Sequence, residues 1–155
     1  MGMMNNKYFD ERQILARGKG FQIGFLVSLG MIIADFLAED VLWNYGCISI
    51  NVYSRAMMCI WIPILVVSVY FILNDACEKI NETGGKALMG MFVFVGLFEI
   101  IVTVVRVASG SILFVENGVV GDALGQIFTG AAMLGISVVY FVKLALNKKT
   151  FGDEE

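Results

Sequence analysis

The chain has 155 residues, of which 58% are apolar and only 16% charged, with a mean hydropathy of +0.78. Soluble domains carry about 45–50% apolar and about 25% charged residues, so a chain of this composition lacks the polar surface to cover a core in water. A net charge of −3, three Cys, one Pro and no His exclude a basic nucleic-acid binder, a disulfide scaffold, a collagen-like fibre and a disordered chain.

The first 19 residues read as a cytoplasmic N-terminal segment. Asp10 suits an N-cap, Gln13 stands where a capping box places its second partner, and Glu11 suits the positive end of a helix dipole. A short helix therefore starts here and runs toward the first span, with Arg17 and Lys19 at the lipid phosphates. Asp10, Glu11, Arg12, Gln13, Arg17 and Lys19 also make up a candidate docking site for a cytoplasmic partner.

A membrane-spanning helix needs about 20 mostly apolar residues. Four stretches meet that requirement, and the chain reads as a single membrane domain (1–155) with helices at about 20–41, 56–76, 87–114 and 120–144, followed by a tail at 145–155. All four are too long for strands and lack their alternation. The first span is too long for a signal peptide and no small-residue cleavage site follows it, so it is expected to be a mature helix. Lys7, Arg12, Arg17, Lys19, Lys79, Lys86, Lys143, Lys148 and Lys149 fall on one side, against Arg55 and Arg106 on the other. The positive-inside rule then puts both termini in the cytoplasm. Trp43, Tyr45, Tyr53 and Trp61 mark the outer interface. Short connections make sequence neighbours antiparallel neighbours in space. Gly24-x-x-Val27-x-x-Gly30-Met31 echoes Gly90-x-x-Val93-x-x-Gly96-Leu97 at an offset of 66 residues, as a duplicated hairpin would require, but the second and fourth spans show no matching echo.

Charges inside a span are costly and face the bundle interior. Counted from the inner helix ends, Asp35 lies ~22 Å up the first helix and Arg106 ~28 Å up the third. Glu39 is one turn above Asp35, Glu99 lies ~10 Å below Arg106, and Asp122 opens the fourth helix in the same outer layer. Asp35, Glu39, Glu99, Arg106 and Asp122 form the expected intramembrane polar cluster. Its economical arrangement has Arg106 meeting Asp35 or Glu39 between the first and third helices, with Glu99 deeper and less compensated. Such a pair fixes helix register on one reading and belongs to an ion- or proton-coupled path on another. Small residues form two seams, Gly20, Gly24 and Ser28 on the first helix and Gly121, Gly125, Thr129 and Ala132 on the fourth, for packing within the bundle or between copies.

Cys47, Cys59 and Cys77 lack C-x-x-C spacing and read as apolar fillers. Without His, a nucleophile–base pair or metal-ligand spacing, no enzyme, catalytic residue, cofactor or metal site is expected.

Asp10-Glu11-Arg12-Gln13, then Arg17-Gly18-Lys19 and the run Phe21-Gln22-x-Gly24-Phe25, resemble the start of a group of small four-span bacterial membrane proteins classed as domains of unknown function. The resemblance implies a multi-pass protein of the bacterial plasma (inner) membrane and transfers no catalytic residue. Small multidrug-resistance transporters are similar in span number, but they are shorter and their carboxylate lies nearer mid-helix. The chain therefore reads as an all-α integral membrane protein, a four-transmembrane-helix bundle. Its expected partners are the lipid bilayer and either a membrane-protein partner or further copies of itself, with no nucleic acid. Its expected role is a non-enzymatic accessory or regulatory one through a partner. The alternative is a small homo-oligomeric transporter or channel using the intramembrane carboxylates and Arg106.

Overall fold

A computed structural model describes residues 11–45, 49–76 and 83–152, with side chains placed over 11–39, 49–76 and 84–147. The proposed Asp10 cap, Cys47, Cys77 and the side chains of Trp43 and Tyr45 lie outside the described residues. Four helices, α1 (Glu11–Tyr45), α2 (Val52–Leu73), α3 (Thr83–Ala108) and α4 (Asp122–Gly152), carry almost all the rest. Each contains a stretch long and apolar enough to cross a membrane.

The ends of the helices follow from local chemistry. There is no break between an N-terminal helix and the first span: Glu11 to Tyr45 is one α-helix. α2 begins four residues earlier than expected because Asn51 caps it, its Oδ1 accepting the Tyr53 N–H at 2.7 Å. That shift brings Arg55 into the first turn of the helix. α3 stops at Ala108, well short of the expected 114. Gly110, with φ of 71°, follows it in the left-handed region; its N–H bonds to Val107 O and the Ser111 N–H to Arg106 O, the pattern of a Schellman stop. α2 ends in the same way on a non-glycine, Asp75, with φ of 51°; Ala76 N–H returns to Phe71 O at 2.9 Å.

Beyond α3 the chain forms a small hairpin. Strands β2 (Val115–Glu116) and β3 (Val119–Val120) pair antiparallel around Asn117 and Gly118, whose φ values of 50° and 80° are those of a type I′ turn. Strand β1 (Ser49–Ile50) lies parallel to β3, with Ser49 opposite Val119 and Ile50 opposite Val120. We call this the strand end of the molecule; the other end carries the start of α1 and the close of α4.

α1 packs on α2, α2 on α4, and α4 on α3. α2 and α4 are thus the central pair, and they run parallel: Ser54 meets Gly125 at their starts, and Lys143 reaches Leu73 O near their ends. The antiparallel neighbours expected from short loops hold for the α1–α2 and α3–α4 hairpins but not for α2 and α3. Strand pairing sets a shift of 70 residues between the return helices, while the glycine echo sets one of 66 between α1 and α3. These shifts carry the seat of Gly24 on Val67 to Gly90 and Ser137. The seat is not repeated there: nothing lies within 4 Å of a Cβ at Gly90, although Ser137 Oγ lies 3.2 Å from Met89 O of α3 and 3.0 Å from Met133 O of its own helix.

The core is made by α4 with α2 and α3. Ile72, Ile136 and Tyr140 are its buried centre, with Leu65, Met89, Phe92, Val139 and Leu144 around them. The edge helices bury little: Phe36 on α1 is 73% exposed and Phe94 on α3 is 72% exposed.

Candidate functional site: a charged cleft at the strand end

The expected cluster is divided by this packing order. α1 and α3 form no packed interface among the described residues, so Arg106 has no route to Asp35 or Glu39. It sits exposed in the last turn of α3. The cation that meets the two carboxylates is Arg55 of α2. Its Nη2 donates to Asp35 Oδ2 at 3.1 Å and to Glu39 Oε2 at 2.9 Å. Its Nε lies 2.8 Å from Asp35 Oδ1, but off the line of a hydrogen bond, so that buried N–H is left without an aligned acceptor. The expected pairing of Asp35 and Glu39 with Arg106 is thus replaced by one with Arg55. Arg55 stands one residue before the expected start of the second span. The signal that could have found it is the Asn51 cap, which starts the helix early enough to place Arg55 opposite Asp35.

The i, i+4 spacing of Asp35 and Glu39 stacks both carboxylates on one face of α1, where one guanidinium spans them. Around this triad lies a cleft of about 200 Å³, lined otherwise by Met31, Ala34, Ala38, Ile50, Met58 and Cys59. Arg55 and Asp35 are largely withdrawn from solvent, with side chains 19% and 30% exposed, while Glu39 is 61% exposed. The cleft thus holds two carboxylates and one guanidinium in an otherwise apolar wall.

The other predicted members stand apart. Glu99 is half-buried on α3, and its backbone carbonyl accepts the Thr103 hydroxyl at 2.7 Å. Asp122 is exposed in the first turn of α4, where the helix dipole favours a carboxylate. Among the described residues no three His, Cys, Asp or Glu come together as a metal site.

Uncharged polar groups join the helices elsewhere. Ser54, fully buried, donates to Gly121 O at 2.8 Å and accepts the Gly125 N–H at 3.0 Å. Its hydroxyl thereby bridges the two groups of α4 that a regular helix would bond to each other. Thr103 Oγ1 lies 3.0 Å from the Gln126 side-chain amide, linking α3 to α4. Since one hydroxyl proton cannot serve Glu99 O and Gln126 together, the amide is best turned so that its NH₂ donates to Thr103.

At the opposite end the N-terminal motif has an internal use. Gln13 Nε2 donates to Asp75 O at 3.1 Å and Arg17 Nε to Ala76 O at 2.7 Å. From α4, Lys143 Nζ donates to Leu73 O and to the Asp75 carboxylate, both at 3.3 Å. These three side chains satisfy carbonyls at the closing turn of α2, where helices leave acceptors unpaired and favour cations. Glu11, Arg12 and Lys19 are exposed, and Asp10 lies outside the described residues. Gln13 and Arg17 thus face α2, whereas Glu11, Arg12 and Lys19 keep a free surface.

The two small-residue seams also find internal partners. Gly20 and Gly24 seat Phe71 and Val67 of α2, and Gly125 seats Ser54 and Tyr53. A further close approach, backbone to backbone, is one the seams omitted, Gly96 of α3 against Gly130 of α4.

No family model matches the chain, and no curated protein or solved structure matches it either.

Proposed function

We propose that this is a multi-pass protein of a bacterial plasma membrane, with both termini cytoplasmic, that acts as a non-enzymatic accessory or regulatory component of a partner membrane protein. The observation that carries the reading is how the polar groups within the spans are used. Ser54, Thr103, Ser137 and Arg55 each tie one helix to its neighbour, while α1 and α3 turn broad apolar faces outward. Such faces suit lipid and the helices of another membrane protein. The excess of Lys and Arg toward the terminal end supports the orientation. The resemblance of the N-terminal motif to small bacterial four-span proteins supports the compartment.

Purification from native membranes in a mild detergent, with the mass and composition of the particle measured directly, tests this. A second protein in fixed stoichiometry is the expected result. A pure homo-oligomer would refute it and favour a transporter. One observation favours that second reading: Glu99 lies within a span, half-buried, on a helix with one packed neighbour. In that case Glu99→Gln abolishes coupled flux in proteoliposomes while insertion is unchanged, and wild-type flux in the variant excludes the role.

A further inference from the structure

We propose that the cleft between α1 and α2 at the strand end binds the ammonium head of an amphiphile, with the apolar part of the ligand lying along α1. Whatever partner the protein serves, this is a separate small-molecule site.

Charge points to the ligand's sign. Arg55 neutralises one carboxylate of the pair, and Asp35 has both oxygens held against it, Oδ2 by Nη2 and Oδ1 by the close Nε. Glu39 gives only Oε2 to Nη2. Its Oε1 has no hydrogen-bond partner among the described residues, and its side chain is the exposed one of the three. One negative charge is therefore left over, at the mouth of the cleft, with an acceptor ready for a donor cation.

The wall points to the ligand's body. Apart from the triad the lining is Met, Ala, Ile and Cys, and two of its residues, Met31 and Met58, have side chains that adapt to irregular shapes. At about 200 Å³ the space is smaller than the ~300–1,000 Å³ of a drug-sized pocket. It suits a head group and the first few carbons. From there the exposed side chains of Phe36 and Ile32, next to Glu39 around α1, continue an apolar track for a chain. A bare metal cation would leave that wall unused, and an anion would meet Glu39 before Arg55. An alkylammonium satisfies both parts of the site. Its source is either an aminophospholipid of the bilayer or a lipophilic amine arriving from outside.

The test uses purified full-length protein in neutral maltoside micelles, with thermal stability read against added decylamine and, in parallel, decanol. Decylamine should raise the midpoint in a saturable way and decanol should not. Glu39→Gln removes the surplus charge while leaving Arg55 on Asp35, and should weaken decylamine binding by about tenfold or more. Ala38→Phe fills the cleft while keeping all three charges and should weaken it as well. Asp122→Asn removes a carboxylate from the same end but outside the cleft, and should leave binding unchanged. Unaltered helical circular dichroism shows that each variant is folded.

Native mass spectrometry then separates the sources. Retained phosphatidylethanolamine, displaced by decylamine and lost in Glu39→Gln, identifies a lipid head group. Decylamine binding without retained phosphatidylethanolamine identifies a free amine. Equal effects of decylamine and decanol, wild-type binding in Glu39→Gln, or an equal loss in Asp122→Asn would overturn the proposal. Each of these leaves the partner reading untouched, since the composition of the native particle decides that one separately.

Discussion

Gly130→Ala places a methyl group where α3 and α4 are already in backbone contact. A Cβ built at Gly130 stands 2.7 Å from Gly96 O and 2.7 Å from Ile100 Cγ1; the reciprocal Cβ at Gly96 stands 2.8 Å from Gly130 O. Ordinary contact begins near 3.4 Å, so the helices must separate by about 0.7 Å at the crossing. A carbonyl oxygen within a helix cannot swing aside as a side chain can. Overpacking of this kind costs about 1–3 kcal/mol, against which any Gly→Ala change in a helix gains ~0.8–1.0 kcal/mol of propensity. Gly30 and Gly90 supply the reference, because nothing lies within 4 Å of a Cβ at either position. Gly30→Ala and Gly90→Ala should stabilise slightly, and Gly130→Ala should fall below them by the steric cost of ~1–3 kcal/mol. The two close glycines should also be coupled: once one alanine has spread the helices the second costs less, so the double variant should differ from additivity by at least ~0.5 kcal/mol. Unfolding in mixed micelles with increasing dodecyl sulfate, followed by circular dichroism, measures all of these. If Gly130→Ala and Gly90→Ala shift the transition equally, or if the double variant is strictly additive, α3 and α4 do not cross at this pair.

Arg55→Ala should lower the unfolding midpoint by leaving Asp35 without its cation, and Arg55→Asp combined with Asp35→Arg should restore part of the loss; no restoration would remove the pair. Arg106→Ala, exposed on α3, should change stability by no more than ~0.5 kcal/mol, and a loss comparable to that of Arg55→Ala would place Arg106 back in the cluster. Ser54→Ala should cost about 1 kcal/mol, near the upper part of the range for hydrogen bonds between membrane helices, and Ser54→Thr should fare no better because Gly121 and Gly125 leave no room beside it. Arg17→Ala should speed amide exchange over residues 11–20 while leaving α3 unchanged, since its Nε holds Ala76 O at 2.7 Å. Protection equal to wild type would return Arg17 to the free surface.

Each of the four apolar stretches legible in the sequence coincides with a helix over most of its length. Their ends were missed for a definite reason. No charge interrupts Val107–Ile112, but Ser109-Gly110-Ser111 breaks the apolar run, and the chain stops there with Gly110 in the left-handed region, a breaker that a span-length hydropathy window averages away. The start of α2 was missed in the opposite sense, since Asn51 and Arg55 look like loop residues until the cap is noticed. The N-terminal motif was legible as polar and helical. That Gln13 and Arg17 reach the end of α2 could not be read, because their acceptors, the carbonyls of Asp75 and Ala76, belong to backbone and leave no trace in residue type.

The candidate site divides along the same line. Asp35 and Glu39 were identifiable from sequence because a carboxylate in an apolar run is costly wherever the helix lies, and their four-residue spacing puts them on one face. Composition also gave the helical class and four stretches long and apolar enough to cross a membrane, which depend on one helix at a time. Which helix lies beside which depends on pairs. Gly20 and Gly24 admit Phe71 and Val67, Gly96 admits Gly130, and Ser54 fits beside Gly125; these shapes set the order α1–α2–α4–α3. Once α1 lies on α2, Asp35 and Glu39 meet Arg55. Arg106, in the last turn of a helix beyond α4, is held away from them by the packing order.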